Sequence, residues 1–165
     1  MVINGSALLA DPPITNMITE KVRANGVSHG LAEVGYDIRI KQEVRFDCKS
    51  NYTMTGMVSV DGISQYGRFC IASAMEEFDM PNDLVGIVHD KSTWAREGLS
   101  VFNTVIEPGF RGGLTLELVY HGQKALHIPA GSGIAQVIFH RISQPAAYTG
   151  KYQDQSFDPV PAIFA

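Results

Sequence analysis

Short apolar runs with a two-residue period occur along most of this 165-residue chain, and they limit the fold more than any other feature. In the stretch YDIRIKQEVRF, the apolar residues Tyr36, Ile38, Ile40, Val44 and Phe46 alternate with mostly polar ones, which predicts one half-buried strand. Similar runs, separated by Gly, Pro, Asn or Asp, follow at GMVSV, GRFCIASAM, LVGIVHD, LSVFNTVIE, GLTLELVY, KALHIP and GIAQVIFH. Many short strands of this kind predict a β-sandwich or barrel rather than alternating α/β units.

The two ends of the chain have other patterns. Apolar residues recur at helical spacing in SALLA and again around Ile14, Met17, Ile18 and Val22, which predicts one or two short helices before the strands. The C-terminal stretch TGKYQDQSFDPVPAIFA is polar and rich in turn-forming residues until its end. It is interpreted as either a disordered end or an arm that orders over another part of the protein.

Composition and charge restrict the class of protein. A chain with 45% hydrophobic and 18% charged residues predicts one globular domain spanning residues 1–165. The formal net charge of -4 gives no general attraction for nucleic acid or an anionic membrane. No apolar run is long enough to span a membrane and no signal-peptide pattern opens the chain, so a cytoplasmic protein is expected. Cys48 and Cys70 are expected to be reduced thiols in the interior.

A cationic corner is predicted in the stretch HDKSTWAREGL. Ser92 is a suitable N-cap for a short helix over 94–97, and Gly98 suits the left-handed residue that ends it. Such a helix leaves its first amides without partners, and Lys91 and Arg96 add positive charge beside them. Together these groups suit a phosphate chain. An ordinary capped turn with solvated charges is the alternative that these residues alone leave open.

Glu117 is a carboxylate in the middle of the predicted strand GLTLELVY. One face of this strand carries Leu114, Leu116, Leu118 and Tyr120, and the other carries Thr115, Glu117 and Val119. Because a carboxylate there is poorly placed for solvent, it is expected either to pair with a cation or to hold a proton near neutral pH through a raised pKa. The second case gives a general acid and base. An ion pair with Arg111 or Arg96, or an outward position on an edge strand, stays open.

The run KSTWAREGLSVFNTVIEPGFRGGLTLE joins the cationic corner to the strand of Glu117 through a turn predicted from Pro108 to Gly113, with Glu107 at its entrance. This run is similar, position for position, to the central motif of the dCTP deaminases, a family of the dUTPase superfamily. The resemblance extends to YDIRI before it, GSGIAQVIF after it and KYQDQ near the end, in the family's order. Together these segments cover more than half of the chain.

The resemblance implies a mainly β fold, a distorted antiparallel β-barrel or jelly roll of the dUTPase-like type with a few short helices. It also implies a homotrimer with its active sites between subunits, and a reaction in which dCTP and water give dUTP and ammonia. Residues 150–165 would form a C-terminal arm near the active site. Mg²⁺ is expected to enter with the triphosphate, without metal ligands from protein side chains.

The resemblance implies roles for individual residues as well. Glu117 would be the general base and acid, which takes a proton from water and delivers protons to N3 and the leaving amine. Ser92 and Arg96 would help to fix the water, the carboxylate and the phosphates. The residues that would contact the nucleotide are Lys91 and Thr93 at the triphosphate, Thr104 beside the base, Glu107 at the sugar 3′-hydroxyl, Thr115 and Leu116 at the base through the strand backbone, and Gln136, Tyr148, Lys151 and Gln155 from the later segments.

Zinc-dependent base deaminases use another chemistry, in which Zn²⁺ held by His and Cys ligands activates the water. Their P-C-x-x-C arrangement is missing from this sequence, which has no C-x-x-C. The histidines, which show no ligand spacing, are His29, His89, His121, His127 and His140. A zinc-independent reaction is therefore predicted.

The sequence departs from the family pattern at two places. Phe102, Asn103 and Val105 differ from one branch of the family in the segment that should pass beside the base. Base selectivity is therefore open, and a C5-substituted cytosine such as 5-methyl-dCTP, which would give dTTP, is an alternative substrate. The chain between Tyr148 and Lys151 is shorter than the family pattern, which leaves the role of Tyr148 open.

Two other functions stay open at this point. A dUTPase, or a bifunctional enzyme that also releases diphosphate from dUTP, favours aspartate at the position of Glu107. A true dUTPase also has a glycine-rich C-terminal arm, whereas KYQDQSFDPVPAIFA has no glycine. A nucleotide-binding trimer without catalysis needs the cationic corner but gains nothing from a buried Glu117. Deamination by a monofunctional enzyme is therefore the preferred hypothesis.

Overall fold

The structure is a computed structural model and describes residues 1–47 and 56–164. Within these ranges it contains two short helices, α1 (Gly5–Ala10) and α2 (Ser92–Ala95), and many strands. Neither helix is long and apolar enough to cross a membrane. Of the two predicted buried thiols, Cys70 is buried and free, and Cys48 lies outside the described residues.

The strands form three antiparallel sheets. The largest has seven strands, which pair in the order β11 (Val105–Ile106), β9 (Leu84–Asp90), β14 (Gly133–Arg141), β4 (Tyr36–Arg39), β3 (Val27–Leu31) and β2 (Lys21–Ala24), with β1 (Val2–Ile3) beside β14. The second sheet has the order β10 (Leu99–Val101), β12 (Arg111–Tyr120), β8 (Phe69–Asp79). The third has the order β13 (Leu126–Ile128), β5 (Val44–Asp47), β6 (Met57–Val60), β7 (Ile63–Tyr66). In the described part of the chain this pairing does not close a barrel. The predicted mainly β fold with antiparallel sheets is confirmed in its jelly-roll-like form.

One hydrophobic core joins the three sheets. Phe139 of β14, Phe46 of β5 and Leu118 of β12 are all at most 1% exposed, so each sheet contributes to it. The predicted apolar face of β12 is confirmed, because Leu114, Leu116, Leu118 and Tyr120 are buried, whereas Thr115, Glu117 and Val119 on the other face are half-buried. The side chains of that second face are therefore available to a site outside the core.

The helical prediction around Ile14–Val22 is wrong, whereas SALLA lies in α1 as predicted. Lys21–Ala24 forms strand β2 instead, and Val22 is 37% exposed. Asn25 and Gly26 both have positive φ, 53° and 79°, and they make a two-residue hairpin turn between β2 and β3. An Asn-Gly pair favours this turn strongly, and the hairpin overrides the weaker helical spacing before it.

Three predicted elements have different bounds in the structure. YDIRIKQEVRF is not one strand but two, β4 and β5, which lie in different sheets, although the predicted apolar residues are all buried. LSVFNTVIE is likewise divided into β10 and β11, again in different sheets. The turn predicted to run to Gly113 is shorter, since Phe110 N–H closes it on Glu107 O at 3.1 Å and β12 begins at Arg111. A period-two pattern does not show where a chain leaves one sheet for another.

Candidate functional site

A cavity of about 740 Å³ lies beside the half-buried face of β12. Glu117, Thr115 and Leu114 of β12 form one wall. The other lining residues are Gln65, Phe69 and Ile71 from β7 and β8, Thr104 to Glu107 and Phe110 from the segment before β12, Tyr148, Tyr152 and Gln155 after β14, and Val160 to Ala162 near the C-terminus. Its lining is mostly apolar with a few polar groups, which is the usual composition of a small-molecule site.

Glu117 has an unusual carboxyl group at this wall. Its Oε2 atom is buried and has no hydrogen-bond partner. Burial raises the pKa of the Glu117 carboxyl above its ordinary value. Glu76, on the neighbouring strand β8, is a buried carboxylate of the usual kind, because it accepts hydrogen bonds from Arg39 Nε at 2.8 Å and Arg39 N–H at 2.9 Å. The unpaired Glu117 therefore resembles a reactive group more than a structural one.

The ion pairs considered for Glu117 are not formed in the described part of the chain. Arg111 pairs instead with Asp154, with Nε and Oδ1 3.3 Å apart. Arg96, the C-cap of α2, is exposed and does not line the cavity. Glu117 also lies on β12 between two paired strands rather than at an edge of the sheet. The predicted ion pairs and the edge position are therefore wrong for this chain. The structure agrees with the other expectation, a carboxyl group with a raised pKa.

Two aromatic residues lie on the segments next to β12, Phe69 on β8 and Phe102 after β10. Phe102 N–H donates to the backbone carbonyl of Glu117 at 3.0 Å, which fixes the segment after β10 next to β12. The rings of Phe102 and Phe69 lie 6.2 Å apart, and both residues are about half exposed, at 50% and 46%. Phe69 also lines the cavity. An apolar, partly exposed aromatic pair at this position is suited to a planar heterocycle.

Part of one edge of β12 is unpaired. β8 pairs with β12 along most of its length, whereas β10 on the other side pairs only with Leu118–Tyr120. Among the described residues, no strand pairs with that second edge over Leu114–Leu116. Peptide groups of this stretch that face the second edge have no ladder partner on that side, so they can bind a ligand. The Leu116 side chain is in the core. The use of backbone groups at Thr115 and Leu116 in base binding stays a prediction.

The C-terminal segment lies over β12 and completes the cavity. Gln155 bonds the backbone of Gly113 twice, through its side-chain amide at 2.6 Å and its carbonyl at 3.1 Å. A Cβ atom at Gly113 would lie 2.5 Å from Ser156 O, so only glycine allows this approach. Farther on, Val160 N–H donates to Thr115 Oγ1 at 3.0 Å. Of the two sequence interpretations, an ordered arm over another part of the protein is the one observed.

The cationic corner forms a helix, with one change at its start. The N-cap is Lys91 rather than the predicted Ser92, because Lys91 is extended and its carbonyl accepts from Trp94 and Ala95, both at 3.0 Å. Gly98 has φ of 92° and ends the turn as predicted. The side chains of Ser92, Thr93 and Arg96 are exposed together on one side. The first amides of the helix have no intrahelical partner, as at any helix start.

Lys91 and Trp94 attach this helix to the largest sheet. Lys91 Nζ lies 2.6 Å from Asp37 Oδ2 on β4, and both side chains are at least nine-tenths buried. Trp94 Nε1 donates to Gly133 O on β14 at 2.6 Å. Gln136 is close in the same sheet, since it is the cross-strand partner of Asp37. The helix is therefore held by two buried polar contacts rather than by its own four residues.

The predicted site residues fall into two groups. The cavity group lines the cavity and consists of Thr104, Glu107, Thr115, Glu117, Tyr148 and Gln155. The corner group lies on or beside α2 and consists of Lys91, Ser92, Thr93, Arg96 and Gln136, none of which lines the cavity. Two predicted residues belong to neither group: Leu116 is in the core, and Lys151 is exposed, where its Nζ donates to Ile163 O. One chain thus brings about half of the predicted residues together.

Comparison with known proteins decides the family. The family model described as dCTP deaminase-like matches residues 8–142. The chain belongs to the dCTP deaminase-like family. A dCTP deaminase of Campylobacter lari is 37% identical, with 83% of this chain and 82% of the relative covered. A dCTP deaminase of Campylobacter fetus subsp. fetus is 35% identical, with 87% of this chain and 86% of the relative covered.

Solved structures at low sequence identity share the fold. A 2′-deoxycytidine 5′-triphosphate deaminase from Agrobacterium tumefaciens superposes with a TM-score of 0.57 at 14% identity, over 86% of this chain and 48% of that one. The native dUTPase of EIAV superposes with a TM-score of 0.52 at 15% identity, over 85% of this chain and 92% of that one. The dUTPase-like fold predicted from the resemblance is confirmed.

The sequence reasoning missed several residues of this dCTP deaminase-like chain. Asp37 and Phe69 were not singled out, and neither was the apolar stretch Val160–Ala162. Asp37 was detectable by the argument applied to Glu117, because it is a carboxylate inside the apolar pattern YDIRI. Phe69 and Val160–Ala162 carry no comparable pattern, since only tertiary folding brings them to the cavity.

Metal ligands are not clustered: in residues 1–47 and 56–164, no three His, Cys, Asp or Glu side chains are grouped to hold an ion.

Proposed function

We propose that this chain is a dCTP deaminase, which hydrolyses dCTP to dUTP and ammonia without zinc. The observation that carries the proposal is the buried, unpartnered Oε2 of Glu117 at the wall of the cavity. The family assignment supports it, because relatives with 35–37% identity over most of the chain are named dCTP deaminases. Mg²⁺ enters as part of the substrate, bound to the triphosphate, and the reaction takes place in the cytoplasm.

The reaction needs one group that both accepts and donates protons. Glu117 as carboxylate takes a proton from water while the water oxygen bonds to C4 of cytosine, and the proton passes to N3. A proton from the new hydroxyl then passes through Glu117 to the amine, the C4–N4 bond breaks and ammonia leaves. The product retains the proton on N3 and has a carbonyl at C4, as in uracil. A raised pKa suits both directions of transfer, since proton exchange is efficient when the pKa is near the working pH.

The corner group binds the triphosphate end of the substrate. Arg96, with Ser92 and Thr93, presents charge and hydroxyl groups beside free helix amides, which is a suitable arrangement for phosphate. The residues of the corner group do not line the cavity of their own chain. We therefore place each active site between two subunits of a homotrimer, with the cavity from one subunit and the corner from its neighbour.

The base lies in the cavity against the unpaired edge of β12 and the ring pair Phe69–Phe102. Edge peptide groups at Thr115 and Leu116 bind its polar atoms, and the rings cover its apolar surface. Tyr148 takes a binding role despite the short connection to Lys151, because it lines the cavity and packs edge-on against Phe110 with ring centroids 6.1 Å apart. A 5-methyl group on the cytosine would meet the same rings, so 5-methyl-dCTP is included as a second substrate in the test.

The test is a product assay on the purified protein with Mg²⁺ and, separately, dCTP, 5-methyl-dCTP and dUTP. We expect ammonia release from dCTP with an intact triphosphate product, followed by an ammonia assay and nucleotide chromatography. Diphosphate from dUTP would replace the proposal with a dUTPase or a bifunctional enzyme. The absence of any product from all three would favour a binding trimer without catalysis. The ratio of the kcat/KM values for dCTP and 5-methyl-dCTP measures the base selectivity of the site that includes Phe102.

Lys151→Ala is expected to raise the KM for dCTP by about tenfold while kcat changes little, as when uniform binding is lost. In the structure Lys151 is held by its bond to Ile163 O and lies 5.5 Å from the centre of the Tyr152 ring, next to the cavity. Steady-state kinetics of the variant provide the measurement. Lys124→Ala, at an exposed lysine outside both groups, is the matched control and should retain the wild-type KM. An unchanged KM for Lys151→Ala would show that this part of the arm does not reach the phosphates.

A further inference from the structure

A buried ion pair lies directly behind the cationic corner. The carboxylate of Asp37, 5% exposed, and the ammonium of Lys91, 9% exposed, are 2.6 Å apart. Ser28 Oγ also donates to Asp37 Oδ2, at 3.2 Å. The pair thus joins β3, β4 and the residue that caps α2, three elements that are separate in sequence.

Stability alone does not explain such a pair. Two charges removed from water lose hydration that their attraction only partly restores, and apolar residues of similar volume often serve the fold as well. The pair does determine geometry, because Lys91 is the N-cap of α2 and its carbonyl accepts the first two helical hydrogen bonds. An ammonium has three donors, so the bond to Asp37 leaves donors for a second acceptor. A fixed Lys91 therefore fixes both a charge and the start of the helix.

We propose that Asp37 is a positioning residue for the triphosphate, which holds the Lys91 ammonium and the first turn of α2 at the phosphate-binding corner. This inference rests on the proposed function and assigns a role to a residue that does not contact the substrate. Gln136, the cross-strand neighbour of Asp37, belongs to the same corner group, so Asp37 lies next to two of its members, Lys91 and Gln136. Without Asp37, the lysine would be free to move and the helix start would lose its main attachment to β4.

The test compares Asp37→Asn, Lys91→Met and the double variant in their binding of inorganic tripolyphosphate by calorimetry and in their KM for dCTP. We expect each single variant to weaken tripolyphosphate binding by about tenfold or more, as for the loss of one charge-assisted contact. The double variant should be no weaker than either single one, because the two residues act as a unit. The double variant also leaves no buried charge without a partner, so it can be measured even if Asp37→Asn alone does not fold.

Glu76→Gln is the matched control. It breaks the ion pair between Arg39 of the same strand β4 and the buried Glu76 of β8, and neither residue belongs to α2 or to the corner group. The control should lose thermal stability and keep tripolyphosphate affinity within about twofold of wild type. Wild-type affinity in Asp37→Asn, or an equal loss of affinity in Glu76→Gln, would overturn the proposal, as would a wild-type protein that does not bind tripolyphosphate. The binding readout is separate from turnover, so a protein that binds tripolyphosphate without releasing ammonia rejects deamination and still tests Asp37.

Discussion

Glu117→Gln is expected to lower kcat for dCTP by about 10²- to 10⁴-fold, the usual contribution of a positioned general acid and base. Glutamine preserves the size of the side chain but neither accepts the proton of water nor delivers one to N3. Nucleotide binding should persist, because the peptide edge, the aromatic pair and the cationic corner are unchanged. Single-turnover kinetics and calorimetric titration with dUTP measure the two effects separately.

Thermal unfolding supplies the control for this variant. Burial raises the pKa of Glu117 in the folded protein above its value in the unfolded chain. Between the two pKa values the folded state binds more protons, so the stability of wild type falls as the pH rises through that window. Glutamine does not ionise, and at pH 8 the variant should therefore unfold at the same temperature as wild type or a higher one. A variant that retains near wild-type kcat would exclude Glu117 as the proton-transfer group.

Activity restored by mixing two inactive variants is the second large effect that we expect. Glu117→Gln damages the cavity group, and Arg96→Ala damages the corner group. When the two chains are co-expressed with different tags and purified on both, every mixed trimer has one site with an intact cavity from one subunit and an intact corner from its neighbour. About one third of the sites should therefore be active, from parents with almost none.

The matched control pairs each single variant with a chain that carries both substitutions. No arrangement of those chains contains an intact site, so no activity should return. If the mixture of single variants also stays inactive while both tags are present in equal amounts, each site is built from one chain. The cavity and corner groups would then have to approach each other by a conformational change, and the inter-subunit arrangement would be wrong.

The sequence predicted the features that depend on local pattern. Alternation in GLTLELVY located the two faces of β12 correctly, because every second residue of a half-buried strand points into the core. The same alternation identified Glu117 as a carboxylate that is poorly placed for contact with solvent. Gly98 was assigned correctly because a helix that ends there needs a left-handed residue.

The features that sequence reasoning missed depend on contacts between distant segments. The N-cap is Lys91 rather than Ser92, and the Lys91 side chain pairs with Asp37, 54 residues earlier, a contact that no local pattern indicates. Gly113 was assigned to a turn, whereas its missing side chain makes room for Ser156 on the arm. The division of the site into two groups was available only from the family resemblance, since nothing in the local pattern separates Glu117 from Arg96.

The unpaired edge of β12 also constrains how the base preference of such a site can change. The groups that we propose to bind the base at this edge belong to the main chain, and every residue other than proline has the same N–H and C=O. Replacing Thr115 or Leu116 therefore leaves the pattern of donors and acceptors largely as it was. Selectivity among pyrimidines can evolve instead through the neighbouring segment around Phe102, whose side chains vary while its N–H stays bonded to Glu117 O. A family with this arrangement can diversify its substrates without disturbing the strand that carries Glu117.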